Sequence, residues 1–330
     1  MPETPNIDPA WERKVIEKLA LETLAEQKRR RRWGIFFKLL GFLYLTVLIL
    51  VLGDWGDTAE KLSDGKKHTA LIQLNGVIKP TGQASAEKVT AALQAAFKDR
   101  GTQGVILRIN SPGGSPVQSG IINDEIRRLR TKHPDIPLYA VIEDVCASGG
   151  YYVAAAADRI YVDKASVVGS IGVLMDGFGF TGTMDKLGIE RRLLTAGENK
   201  GFLDPFSPQD AQHKQHAQLL LDDIHKQFIE VVRKGRGKRL KDSPELFSGL
   251  MWTGAKSVEL GLADGLGSID SVARDVIKAE DIRDYTLRAS LGERFARQFG
   301  GDMAEGIMNT LGRIWRNGRR YFCCWRNSPG

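Results

Sequence analysis

Between Thr69 and Ile142, short apolar runs rich in β-branched residues alternate with amphipathic stretches, and this restricts the fold more than anything else in the chain. Thr69–Ile78 reads as a strand, Ala84–Lys98 as a helix and Gly104–Ile109 as a buried strand. Pro116–Arg130 reads as a helix with Ile122, Ile126 and Leu129 on one face, and Leu138–Ile142 as the next strand. A β-α-β-α-β order predicts a parallel sheet with helical crossovers, because parallel strands cannot be joined by a tight hairpin. Ligands bind such sheets at the carboxyl ends of the strands. Two glycine-bearing loops are expected there: Asn110-Ser111-Pro112-Gly113-Gly114-Ser115, and the turn Glu143 to Tyr152 with Ser148-Gly149-Gly150 at its centre.

A serine on a strand-to-helix turn presents its hydroxyl at the mouth of the sheet, and the glycines behind it permit close backbone approach. Ser148 is thus a candidate nucleophile; as a helix cap it would do no chemistry. Cys146 could itself be proposed as nucleophile, or it packs under the turn as a small apolar residue. Acyl transfer needs two N–H donors for an oxyanion, and the Ser148 amide with one from Gly113-Gly114 would suit. It also needs a base. None of the five histidines falls beside these loops, so no His–Asp triad is visible. A lysine with its pKa lowered by burial could serve, and Lys164, Lys186 and Lys200 are the candidates.

Further along, Arg159–Val162, Gly172–Met175 and Glu190–Leu194 are strand candidates. A long helix carries Leu220, Ile224, Phe228 and Val231, and the basic run Arg233–Lys241 behind it reads as a solvated turn. Trp252-Thr253-Gly254-Ala255 opens a last helix, ending at Gly261-Leu262-Ala263-Asp264. His213 and His216 could pair on a metal, but with no partner ligands in register they read as solvent-facing, so no metal is expected. Three cysteines, two of them Cys323 and Cys324, make neither a disulfide framework nor a zinc site. The tail is basic and aromatic, with one helical face at Ile307, Leu311, Ile314 and Trp315.

The formal charge of +7 is concentrated at the ends, notably in Lys28-Arg29-Arg30-Arg31-Arg32. That distribution argues for a membrane surface and against nucleic acid. Trp11–Gln27 is amphipathic at helical spacing. Trp33–Leu52 is apolar except for Lys38 and, at ~1.5 Å per residue, spans about 30 Å as a helix. With Asp54, Asp57 and Glu60 beyond it, the N-terminus is expected in the cytoplasm and everything after Leu52 on the other side of the membrane. A cleaved signal peptide competes, but Leu52-Gly53-Asp54-Trp55 is a poor cleavage site. The expected divisions are a cytoplasmic segment 1–32, a transmembrane helix 33–52, a tether 53–67, a catalytic domain 68–290 and a tail 291–330.

Ser111-Pro112-Gly113-Gly114, Ala147-Ser148-Gly149-Gly150-Tyr151-Tyr152, Val168-Gly169-Ser170-Ile171-Gly172-Val173, Lys200 ahead of Asp204-Pro205-Phe206, and Trp252-Thr253-Gly254 to Gly261-Leu262-Ala263-Asp264 occur in that order. Together they resemble the signal peptide peptidase A family, in its short single-repeat form. The resemblance implies an α/β fold shared with Clp proteases and crotonases, behind one N-terminal transmembrane helix. It implies Ser148 as nucleophile and Lys200 as general base, Gly114 and the Ser148 amide as oxyanion hole, and Ser170 as a hydrogen-bond partner of the lysine. No cofactor is implied. Substrates would be remnant signal peptides and other apolar peptide segments. A membrane-tethered homo-oligomeric ring would bring the dyad's members from neighbouring subunits. A crotonase-type acyl-CoA enzyme and an inactive membrane scaffold are the alternative expectations.

Overall fold

The computed structural model describes residues 9–52, 66–241 and 243–287. The chain divides into two units, 1–60 with 289–330, and 61–288.

In the first unit, α1 (Pro9–Leu52) is one helix. The amphipathic stretch and the apolar run, expected as separate pieces, are continuous because Pro9 sits at the helix start and Lys28–Arg32 are good helix formers. From Trp33 to Val47 the large apolar side chains are exposed, Phe42 at 71% and Tyr44 at 68%. Among the described residues no helix is long and apolar enough to cross a membrane. The spanning helix expected over 33–52 is therefore not shown. Its described side chains end at Val47, short of the roughly 20 apolar residues that a bilayer core requires.

The second unit opens with the five expected elements in order: β1 (His68–Asn75), α2 (Ala86–Lys98), β2 (Thr102–Ser111), α3 (Pro116–Lys132) and β3 (Leu138–Ala147). Ser85 and Ser115 cap the two helices, and Pro116 takes the first turn of α3, where its missing N–H costs nothing. There follow α4 (Gly149–Ala154), β4 (Arg159–Val162), β5 (Val167–Gly169), α5 (Thr181–Leu187), α6 (Ala211–Arg236), β6 (Met251–Thr253) and α7 (Gly254–Glu259). Then come β7 (Gly265–Leu266), α8 (Ile269–Ser271) running into π-helical turns Val272–Ile277, and β8 (Ile282–Asp284).

The strands lie in the order β6-β5-β3-β2-β1-β8, with β4 also on β3 and β7 on β4. Among the described residues β5–β6 is the one antiparallel pair. β3 forks: Tyr139–Ile142 pair with Arg159–Val162, while Val145–Ala147 pair with Val167–Gly169. Ile72, Leu74, Leu107, Ile109 and Leu138 are fully buried in the main core together with residues of α2, α3, α4 and α6. Ile106 and Val141 point the other way and meet Val272 and Ala273. Burial on both faces explains the nearly unbroken apolar strands.

Three expectations fail here. No strand forms at Gly172–Met175 or Glu190–Leu194; neither run finds an edge to pair with, and Leu174 and Leu194 are 80% and 96% exposed. The basic run is not wholly solvated, since Arg236 is 1% exposed. Its Nε donates to Gly261 O and its Nη1 to Asp264, each at 2.8 Å, and Arg239 reaches the other Asp264 oxygen at 3.0 Å. The tether up to residue 65, the tail helix, Cys323 and Cys324 lie outside the described residues.

Candidate active site

β3 ends at Ala147, and the chain turns into α4 through Ser148 at φ 51, ψ −123. A serine in the left-handed region carries of order 1–3 kcal/mol of strain, which the surroundings must hold. They do so from several sides. The Ser148 N–H donates to Gly169 O at 2.9 Å, its carbonyl accepts from Tyr152 N at 3.0 Å, and buried Tyr151 donates its hydroxyl to Leu262 O at 2.8 Å. The Ser148 hydroxyl does not cap α4, so the capping reading is excluded, and among the described residues Oγ has no hydrogen-bond partner. Cys146 lies fully buried beneath, where desolvation pushes its thiol pKa up; it packs and does not react.

The Ser111–Ser115 loop closes over this turn. Ile78 N donates to Gly113 O and Ser115 N to Ile78 O, both at 2.8 Å, while Gly113 N donates to Ser111 Oγ at 3.1 Å. Gly113 has φ +100, and a Cβ there would stand 2.7 Å from Gly149 N and 2.8 Å from Ser148 Cβ. A Cβ on Gly149 would lie 3.3 Å from Gly114 N and 2.5 Å from Ser119 Oγ. The two backbones therefore meet with no side chain between them. Among the described residues neither Gly114 N nor Gly149 N has a hydrogen-bond partner. The expectation that the Ser148 amide is one of two oxyanion donors does not hold, because it already donates to Gly169 O. The unengaged pair is Gly114 and Gly149. Its signal was in the sequence: in a strand-turn-helix nucleophile motif, the residue after the serine supplies the donor.

Ser170 sits at the adjoining strand end, since Ala147 and Gly169 are register partners. It too has positive φ, 53°, with its amide donating to Leu250 O at 2.7 Å. Among the described residues no hydrogen bond joins Lys200 to Ser148 within the chain. Lys200 lies in a run of turns, Gly197 to Asp204, exposed and with no hydrogen bond or ion pair on its ammonium among the described residues. No histidine replaces it. His68 bonds Tyr285 and Lys66 O, His133 packs on Phe97, His225 lies on α6, and His213 and His216 both face Phe202. Among the described residues no cluster of three or more His, Cys, Asp or Glu could hold a metal.

The model of peptidase family S49 matches residues 130–283, a span that holds Ser148, Ser170 and Lys200. The protein named Na(+)/H(+) antiporter NhaA in Brucella abortus (strain 2308) is 44% identical over 207 residues, 63% of this chain and 28% of that protein, so the chain spans well under a third of that relative. A protein bearing the name signal peptide peptidase SppA in Enterococcus faecium is 30% identical over 240 residues, 70% of this chain and 69% of the other. The protease SohB of Haemophilus influenzae is 30% identical over 258 residues, 77% of this chain and 70% of the other. Similarity that runs through the serine turn, both glycine loops and the long helix over most of both chains places this chain in peptidase family S49.

Proposed function

We propose that the protein is a membrane-anchored serine endopeptidase that degrades remnant signal peptides and other apolar segments after their release from preproteins. The observation that carries this reading is the Ser148 hydroxyl, unbonded and held at positive φ beside two unengaged amides. In the reaction, Lys200 as neutral amine takes the Ser148 proton while Oγ attacks the scissile carbonyl. The resulting oxyanion accepts from Gly114 N–H and Gly149 N–H. The lysine returns the proton to the leaving amine, and water, activated by the same amine, releases the acyl group. Ser170, one strand over, orients the lysine.

Lys200 comes, in this reading, from a neighbouring copy in a homo-oligomeric ring. The support is its exposure, together with that of Leu174, Phe178 and Leu194 on the same stretch, which a second protomer would cover. The anchor is the exposed apolar half of α1, with Lys28–Arg32 on the cytoplasmic side and the catalytic unit across the membrane. Ser148→Ala and Lys200→Ala proteins that still assemble should cleave no apolar peptide. Cleavage retained by purified Lys200→Ala would overturn the assignment; CoA binding without labelling of Ser148 by a serine-directed acylating probe would favour a crotonase-type enzyme.

A further inference from the structure

Lys200 is carried by a turn whose own hydrogen bonds are local: Lys200 N to Gly197 O, Phe202 N to Asn199 O and Asp204 N to Gly201 O, each 3.1 Å. The residues on either side of the lysine, Asn199 and Phe202, are tied to the first turns of α6, while further on Asp204 meets Arg191 and Pro205 O accepts from Phe180 N at the head of α5. His213 Nε2 donates to Asn199 Oδ1 at 3.2 Å, and the Phe202 ring lies against His213 at 5.3 Å and His216 at 5.7 Å. The amide oxygen only accepts, so Nε2 carries the proton, in the neutral ring as well as in the imidazolium.

His213 is itself held. Asp210 caps α6 and accepts from Gln212 N at 2.7 Å and His213 N at 3.0 Å. The helix is fastened to the sheet at its other end, where Phe228, Val232 and Arg236 are buried, whereas Leu219 and Leu220 nearer the lysine turn are 59% and 42% exposed. At ~1.5 Å per residue its 26 residues make a rod of about 39 Å. We propose that His213 is a positioning residue: with His216 it latches Asn199 and Phe202, and so fixes Lys200 at the tip of this rod. The sequence pattern did not point to this role, since the two histidines read as a conceivable metal pair or as solvent-facing. The inference rests on Lys200 being the base.

The test uses the full-length protein in detergent with a fluorogenic apolar peptide. His213→Ala should lower kcat roughly 10- to 100-fold with KM unchanged, the penalty expected of a catalytic group displaced by about an ångström. His213→Gln, which keeps a donor, should recover most of the rate. Asn199→Ala should reproduce the loss from the turn's side, and the double variant His213→Ala/Asn199→Ala should be no worse than either single one. A wild-type kcat in both single variants, or Gln and Ala variants that fall equally, would overturn the latch. The Lys200→Ala protein separates the two readings. If it is dead while His213→Ala is unimpaired, the latch alone fails; if it cleaves, the lysine assignment fails first. Should His213→Ala misfold, Asn199→Ala on the exposed turn carries the same test.

Discussion

At the scale of residues, the site depends on backbone that only glycine can supply. Gly114 has φ +145, and a Cβ there would overlap the Ile78 carbonyl, which is fixed by its bond from Ser115 N. Gly114→Ala must therefore move the loop and its amide. We expect kcat to fall at least about 100-fold, the usual cost of losing an oxyanion donor, with folding intact by circular dichroism. Asp264 is a different case. Burial by itself pushes its carboxyl pKa up, but the hydrogen bond and charge of Arg236, the Ile160 amide and Arg239 outweigh this and hold it below the ordinary value. Asp264→Ala leaves Arg236 buried without its partner and should cost about 3–5 kcal/mol in urea denaturation. The sign of the pH effect follows from a depressed folded pKa. The advantage of wild type over Asp264→Ala is full above the ordinary carboxylate pKa, ~3.9, and disappears as pH falls through the lower folded value. None of this was legible along the chain. Asp264 and Arg236 are far apart in sequence, and an arginine amid basic neighbours looks solvated until a carboxylate is folded against it.

At the scale of elements, what was legible is what local periodicity encodes. The strands and helices from β1 to β3 form where alternating apolar runs and capping serines put them, because each buries a face that its own sequence marks. The elements that were misjudged are those whose state depends on a distant neighbour. Gly172–Met175 and Glu190–Leu194 have strand composition but pair with no strand among the described residues, whereas the short Val167–Gly169 becomes a strand because the fork in β3 pairs with it. The fork also brings Ser170 to Ser148. For α6, the Asp210 cap is the element-scale control on the lysine turn. Asp210→Ala should fray the first turn of α6. Because the first turn is barely packed, hydrogen exchange at residues 211–214 should quicken while the thermal midpoint of the domain stays within a few degrees of wild type.

At the scale of the whole molecule, the proposed pairing of Ser148 with the Lys200 of a neighbouring copy has a direct test. Ser148→Ala and Lys200→Ala proteins, each inactive, should regain activity when co-assembled. Random 1:1 mixing gives about a quarter of wild-type activity if each site takes its serine from one protomer and its lysine from the next, as a closed ring permits. Mixtures as dead as their components would place both residues in the same protomer. The exposed apolar half of α1 makes a separate prediction: residues 1–60 fused to a soluble reporter should sediment with vesicles, and Phe42→Glu with Leu45→Glu should release the fusion.

The sequence by itself determined the layering of this protein, because alternation of apolar and polar side chains is a local code for which face is buried. It also marked the serine, since a strand, a small turn and glycines are adjacent in the chain. Only the tertiary structure decided that the amide of Gly149 is unengaged and that of Ser148 is not. It also seated Arg236 on Asp264 and tied the turn that carries Lys200 to the start of α6. Each of these depends on which strand end or helix end lies alongside another, and neighbours in space far apart in the chain leave no period for a sequence to show.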